Sequence, residues 1–135
     1  MSGVLQGVRV LELGQVLAGP FAGAILADLG ADVIKVERPA SVADLGGDDA
    51  RRMGHAFRHG DSLTFHVMNR GKRSAALDLK SEAGRAALEA LVAGADVFLH
   101  NLRPGVAASI GFGVEALTAK SKNVTINMII RKKTR

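Results

Sequence analysis

Residues 7–39 read GVRVLELGQVLAGPFAGAILADLGADVIKVERP, and the fold follows from how this stretch is read. Val8, Val10, Leu11 and Leu13 form a short apolar run that stops at Gly14, the length of a buried strand rather than a helix. Pro20 stands where a first helical turn would open, since its fixed φ suits that position and its missing N–H costs nothing there. Phe21, Ile25 and Leu29 recur at four-residue spacing with Leu26 beside them. That spacing predicts one apolar helix face, with Asp28 pointing away from it. Gly30 is suited to close the helix as a left-handed cap. Val33, Ile34 and Val36 then make a second strand, ending at Glu37-Arg38-Pro39. The unit is βαβ, and parallel sheets take their ligands where strands end and helices begin.

The loop glycines do not spell a known phosphate cradle. Gly14, Gly19 and Gly23 give G-x4-G-x3-G rather than G-x-G-x-x-G, and Pro20 stands where a Walker A loop needs Lys. On spacing alone they serve close helix–strand packing. Arg38 is more informative, because an Arg at the end of a second strand suits a phosphate on a ribose. The residues leave that reading and a plain surface Arg both open.

Further along, Ala40 to Gly60 has no sustained periodicity and holds Gly46-Gly47, Asp48-Asp49, Arg51, Arg52 and Arg58. It reads as a long excursion with room for a short helix, and excursions of this length are often functional. His55 and His59 are four apart, but the Glu of a zinc hydrolase is missing and no third ligand is evident, so no metal is expected. Ser62 to Met68 is a short apolar segment before the polar turn Asn69-Arg70-Gly71-Lys72-Arg73. Ser74 to Leu79 is expected as a third strand and Ser81 as the N-cap of the next helix. That helix carries Leu88, Leu91 and Val92 on one face, with Gly94 as its cap. DVFLH over Asp96 to His100 gives a fourth strand. A short helix is expected from Pro104, another over Val114 to Ala119, and a last strand over Val124 to Ile130. Strands alternating with helices throughout predict an open parallel α/β sheet.

Composition sets bounds on partners. The chain of 135 residues has room for one domain with a real core, and its 47% hydrophobic content argues against disorder. It has no cysteine, which excludes disulfides and thiolate chemistry and fits a reducing compartment. No signal peptide or membrane span is evident, so a soluble cytoplasmic protein is the expectation. The net charge of +5 is misleading about the fold. Residues 1–119 hold 12 Lys+Arg against 13 Asp+Glu, and the last 16 residues add 6 basic side chains and no acid. Nucleic-acid binding by the body is therefore not expected.

Three segments together resemble the amino-terminal signature of the family III CoA-transferases. They are the stretch over 7–39, NRGKRSAALDLKSEAGRAALEALVAGADVFLHNLRPG, and the following IGFGVEAL. This family includes formyl-CoA and carnitine CoA-transferases and the related α-methylacyl-CoA racemases. The resemblance runs from about Gly7 to Ala119. It implies a Rossmann-like open parallel sheet holding coenzyme A as the acyl-CoA substrate, a carboxylic acid as the other substrate, and an interlocked homodimer. By similarity, Leu17 and Ala18 line the pantetheine or thioester end, and Arg38 meets the nucleotide phosphate. Leu77 to Lys80 and Asn101 to Arg103 match further CoA-contacting positions, so Leu77, Lys80, Asn101, Leu102 and Arg103 join the candidate set. All fall at the ends of expected strands, as the sheet argument independently requires. There are departures. Leu17 replaces the Gln of the formyl-CoA branch, and Ser109 stands where that branch has a CoA-binding Arg.

The resemblance also implies that the transferase's nucleophilic Asp, which attacks the thioester, lies beyond these residues, as do the His and Asp of the racemases. No catalytic residue is assigned, and Asp78 and Asp96 read as structural. Composition shifts at the end: residues 1–119 hold 9 Arg and 3 Lys, while the last 16 hold 4 Lys, 2 Arg, 3 Ile and 2 Asn. Residues 1–119 are thus expected as the CoA-binding segment and 120–135 as an atypical basic tail. A shifted reading frame or foreign DNA after residue 119 is one origin for that tail. A natural short chain whose KNVTINMII forms the next strand is the other. The functional alternatives are a racemase relative, a CoA- or NADP-binding module, and a non-catalytic remnant.

Overall fold

A computed structural model describes residues 3–120 and 124–127. In chain order the elements are β1 (Arg9–Leu13), α1 (Ala18–Asp28), β2 (Asp32–Glu37) and a 3-10 turn (Asp49–Arg52). A hairpin of β3 (Phe57–Arg58) and β4 (Asp61–Ser62) follows, then α2 (Leu63–Asn69), β5 (Arg73–Ala76), α3 (Glu82–Ala93) and β6 (Val97–His100). The last are α4 (Val106–Ser109), α5 (Val114–Lys120) and β7 (Val124–Asn127). Five strands form one sheet in the order β5-β2-β1-β6-β7, every pair parallel, and β3 and β4 pair separately. Strand order reverses between β1 and β6, which makes the ends of those strands the switch point of the sheet. The α/β expectation is met. Among the described residues no helix is long and apolar enough to cross a membrane.

The apolar core divides by face. Leu11, Leu13, Val36 and Phe98 pack with Leu88, Val92, Phe112 and Leu117 under α3 to α5, and Phe98 stacks on Phe112. Val10, Val33 and Leu99 pack with Ala22, Leu26 and Ala27 under α1.

The α1 face expected from spacing is not the face that packs. Phe21, Ile25 and Leu29 are 48%, 42% and 41% exposed, while Gly19, Pro20, Gly23 and Ala24 are buried. Small residues let the helix approach the sheet, and of the expected face only Leu26 packs inward while Phe21, Ile25 and Leu29 are left outside. Gly23 shows the reason, since a Cβ there would lie 2.0 Å from Glu12 Oε2, a carboxylate buried beneath the helix.

Local signals elsewhere hold with adjustments: the third strand, expected over Ser74 to Leu79, runs Arg73–Ala76. Gly30 has φ 99° as expected, but Gly94 caps α3 at φ −95°, so that helix ends without a left-handed residue. The Ser62 to Met68 segment is helical because the Ser62 hydroxyl accepts from the Phe65 N–H at 3.0 Å. Ser81 caps α3 in the same way through the Gly84 N–H. The short helix near Pro104 begins at Val106. The expected strand over 124–130 is described over Val124–Asn127; residues 128–130 and the basic end at 131–135 lie outside the described residues.

Gly23→Ala is expected to lower stability by about 2 kcal/mol, because it drives a methyl group into a buried carboxylate. Far-UV circular dichroism during thermal unfolding measures this, since the chain has no Trp or Tyr. An unchanged midpoint would contradict the packing described.

Candidate functional site

Glu12 and Lys35 face each other in register on β1 and β2, at 0% and 1% exposure. The Lys35 ammonium lies 3.0 Å from Glu12 Oε1 and 2.8 Å from Asp48 Oδ2, and it donates to the Gly14 carbonyl at 2.8 Å. Lys72 meets Glu12 Oε2 at 2.7 Å and donates to the Pro20 carbonyl and Asn69 Oδ1. Burial pulls Lys72 below the usual lysine range, while Glu12 acts in the opposite direction. Two carboxylates and two ammonium groups thus balance in a dry layer under α1, where an unpaired charge would be costly.

A second cluster fixes the excursion after β2. Glu37 accepts from Arg51 on both carboxylate oxygens, from the Asp48 N–H and from the Ser74 hydroxyl. Arg51 also pairs with Asp61 at 2.7 Å and lies over the Phe65 ring, 3.8 Å from its centroid. Burial alone would raise the Glu37 carboxyl, but the bonds from Arg51, Asp48 and Ser74 outweigh it and hold it at about 2. The Arg51 guanidinium is pushed up chiefly by its bonds to Glu37, against its own burial. His100 ends β6 with its ring beside Phe98; burial lowers its pKa, and Nδ1 finds no hydrogen-bond partner among the described residues.

A cavity of about 240 Å³ lies at the carboxyl ends of the strands, lined by Leu13, Gln15, Val36, Glu37, Arg38, Leu77, Asp78, Leu79, Lys80, Leu102, Val106 and Ile110, so that of these clusters only Glu37 reaches it. Its lining is mostly aliphatic, and its charged members are Arg38 and Lys80 together with the carboxylates Glu37 and Asp78. Four sequence candidates meet there: Arg38, Leu77, Lys80 and Leu102. Arg38 is not a bare cation, because Asp44 at 3.1 Å and Asp49 at 2.7 Å hold its guanidinium.

The other four candidates lie apart from the cavity wall. Leu17 is exposed just before α1, Ala18 opens that helix, and Arg103 is exposed after β6. Asn101 spends its amide on the β1–α1 loop: Oδ1 accepts from the Gln15 N–H and Nδ2 donates to the Gln15 carbonyl, both at 2.8 Å. Its carbonyl oxygen would sit 3.0 Å from a Cβ at Gly19, so this glycine admits the strut. Ser109 bonds back to the Val106 carbonyl. His55 and His59 are exposed, and among the described residues no three His, Asp or Glu side chains form a metal-ligand group. A second cavity of similar size opens at the opposite edge of the sheet, beside Arg9, Asp32 and Arg73.

The crevice opens at the carboxyl ends of the strands, beside the switch point, where an open parallel α/β sheet takes its ligand. The chain belongs to CoA-transferase family III, whose pattern it matches over residues 5–129. It is 47% identical over 119 residues to the succinate–glutarate CoA-transferase of Agrobacterium fabrum, covering 84% of this chain and 28% of that protein. To the succinyl-CoA:glutarate CoA-transferase of Mus musculus it is 46% identical over 111 residues, covering 82% of this chain and 24% of that one. A CAIB/BAIF family protein from Brucella suis superposes with a TM-score of 0.84 at 39% identity, covering 94% of this chain and 33% of the other. The chain thus spans about a quarter of the length of the curated relatives it matches.

The charge layer of Glu12, Lys35, Asp48 and Lys72 escaped the sequence reading. Its signal was present: opposite charges in two strands that otherwise read as fully buried.

The depressed Glu37 carboxyl makes stability depend on acid. Its ordinary value is 4.5 and its folded value about 2, so its contribution is complete above pH 4.5 and disappears as pH falls toward 2. That contribution is about 3 kcal/mol at neutral pH. Urea unfolding followed by circular dichroism at several pH values is expected to show the loss in this window, and Glu37→Gln to flatten it. An unchanged acid limb in that variant would contradict the assignment.

Proposed function

We propose that this chain supplies the CoA-holding part of an acyl-CoA:carboxylate CoA-transferase. The observation that carries the proposal is the crevice with a mostly aliphatic lining and Arg38 and Lys80 among its charged members. Coenzyme A has an apolar pantetheine arm, a pyrophosphate and a ribose phosphate, so it needs an apolar channel ending in cations. Arg38 and Lys80 take the phosphates. Leu77 and Leu102 lie along the arm. Leu17, Ala18 and the Asn101–Arg103 turn border the path toward the thioester.

The carboxylic acid partner is a short dicarboxylate, a reading supported by the names of the relatives. Transfer is preferred to racemisation on the same ground. No catalytic residue within these 135 is part of the proposal. An interlocked homodimer in a cytoplasmic setting completes it. The apolar stripe of Phe21, Ile25 and Leu29 supports burial of α1 against further protein.

Isothermal titration with CoA, 3′-dephospho-CoA and NADPH tests the proposal. CoA is expected to bind, and Arg38→Ala to weaken it about tenfold, the worth of a charge-assisted hydrogen bond. With 3′-dephospho-CoA the same substitution is expected to matter little. Equal CoA affinity before and after the substitution would refute the phosphate placement, and tighter binding of NADPH than of CoA would favour a dinucleotide module instead.

A further inference from the structure

Val16 holds φ 66°, a left-handed conformation that a β-branched side chain adopts only at a cost. Its N–H donates to Asp48 Oδ1 at 2.9 Å. Asp48 is 1% exposed and belongs to the excursion after β2, 32 residues from Val16. The same Oδ1 accepts from the Ala50 N–H at 2.9 Å, and Oδ2 lies 2.8 Å from the Lys35 ammonium. The Asp48 N–H is anchored in turn on Glu37 Oε2.

The loop between β1 and α1 is tied residue by residue. Lys35 holds the Gly14 carbonyl, Asn101 holds the N–H and carbonyl of Gln15, and Asp48 holds the N–H of Val16. Leu17 continues the pattern by donating its N–H to the Gln15 carbonyl at 3.0 Å. These backbone groups are therefore committed to shaping the loop. The direction in which Leu17 and Ala18 leave it depends on the Val16 dihedral.

We propose that Asp48 is a positioning residue for the acyl end of the ligand. Its carboxylate keeps Val16 left-handed and so sets where Leu17 and Ala18 stand against the thioester. This rests on the CoA reading of the crevice, but its backbone half is testable without ligand. The role requires a carboxylate. An Asn could accept from Val16 and Ala50 through its oxygen, but its NH2 would then face the Lys35 ammonium, donor against donor. Unlike Arg38, which would bind phosphate directly, Asp48 acts through the loop.

Amide hydrogen exchange followed by NMR tests the backbone half in wild type and Asp48→Asn. The Val16 amide is expected to exchange at least tenfold faster in the variant. Titration with CoA and with S-butyl-CoA, a stable thioether, tests the other half. Asp48→Asn is expected to weaken S-butyl-CoA at least fivefold more than CoA, whereas general loosening would weaken both alike. If Asp48→Asn fails to fold, Val16→Pro serves, because it removes the N–H and forbids positive φ while leaving the Asp48–Lys35 pair intact. It is expected to give the same selective loss. Unchanged Val16 exchange, or equal losses for the two ligands, overturns the proposal. Failure of wild type to bind either ligand overturns the CoA reading and the thioester half with it, and the exchange rates still decide whether Asp48 holds Val16.

Discussion

A lysine ammonium buried in the second strand is the constraint on which the rest of the carboxyl edge depends. Glu12, Asp48 and the Gly14 carbonyl surround the Lys35 ammonium group. Removing one partner of such a group typically costs about 3–5 kcal/mol, because the other charge is left without compensation. The partners come from β1, from the β1–α1 loop and from the excursion after β2. Lys72, just before β5, joins through Glu12. One cluster of charges thus brings together segments that are distant in sequence. The helix above must give way to it, and so α1 lies over the cluster with Gly19, Gly23 and Ala24, while Phe21, Ile25 and Leu29 stay exposed.

The two faces of the sheet divide the work. Under α1 the layer near the strand ends is polar, its carboxylates and ammonium groups paired. Under α3 and α4 the same strand ends present Leu13, Val36, Leu77 and Leu102, and the space between them stays open as the cavity. A mostly aliphatic lining that includes the cations Arg38 and Lys80 suits a ligand that is apolar along its arm and anionic at its end. The polar layer has no share in the cavity lining. Its effect on function passes through the loops it holds, and Glu37 links it to the cavity because the next residue is Arg38.

Much of the fold was legible in the sequence. The strands of 7–39, the serine cap at Ser81 and the left-handed Gly30 each rest on local rules, and the structure follows them. The α1 face was misread because periodicity counts large apolar residues, while close helix–sheet contact selects small ones. The roles of Lys35 and Asp48 were not legible, since their partnerships with Glu12, Val16 and each other depend on register and on the path of a loop without periodicity. Asn101 shows a third kind of difficulty. Its position after a strand marked it for ligand contact, yet its amide is committed to the Gln15 backbone, a detail set by three-dimensional closure.

CoA binding in the crevice at the carboxyl ends of the strands is a proposal with a site-resolved test. Titration of isotopically labelled protein with CoA, followed by amide chemical shifts, tests it most directly. The largest shifts are expected at Gln15, Arg38, Leu77, Lys80 and Leu102, with Arg9, Ala90 and Leu91 at the opposite edge unmoved. Shifts concentrated at that opposite edge, or no shifts at saturating CoA, would contradict it.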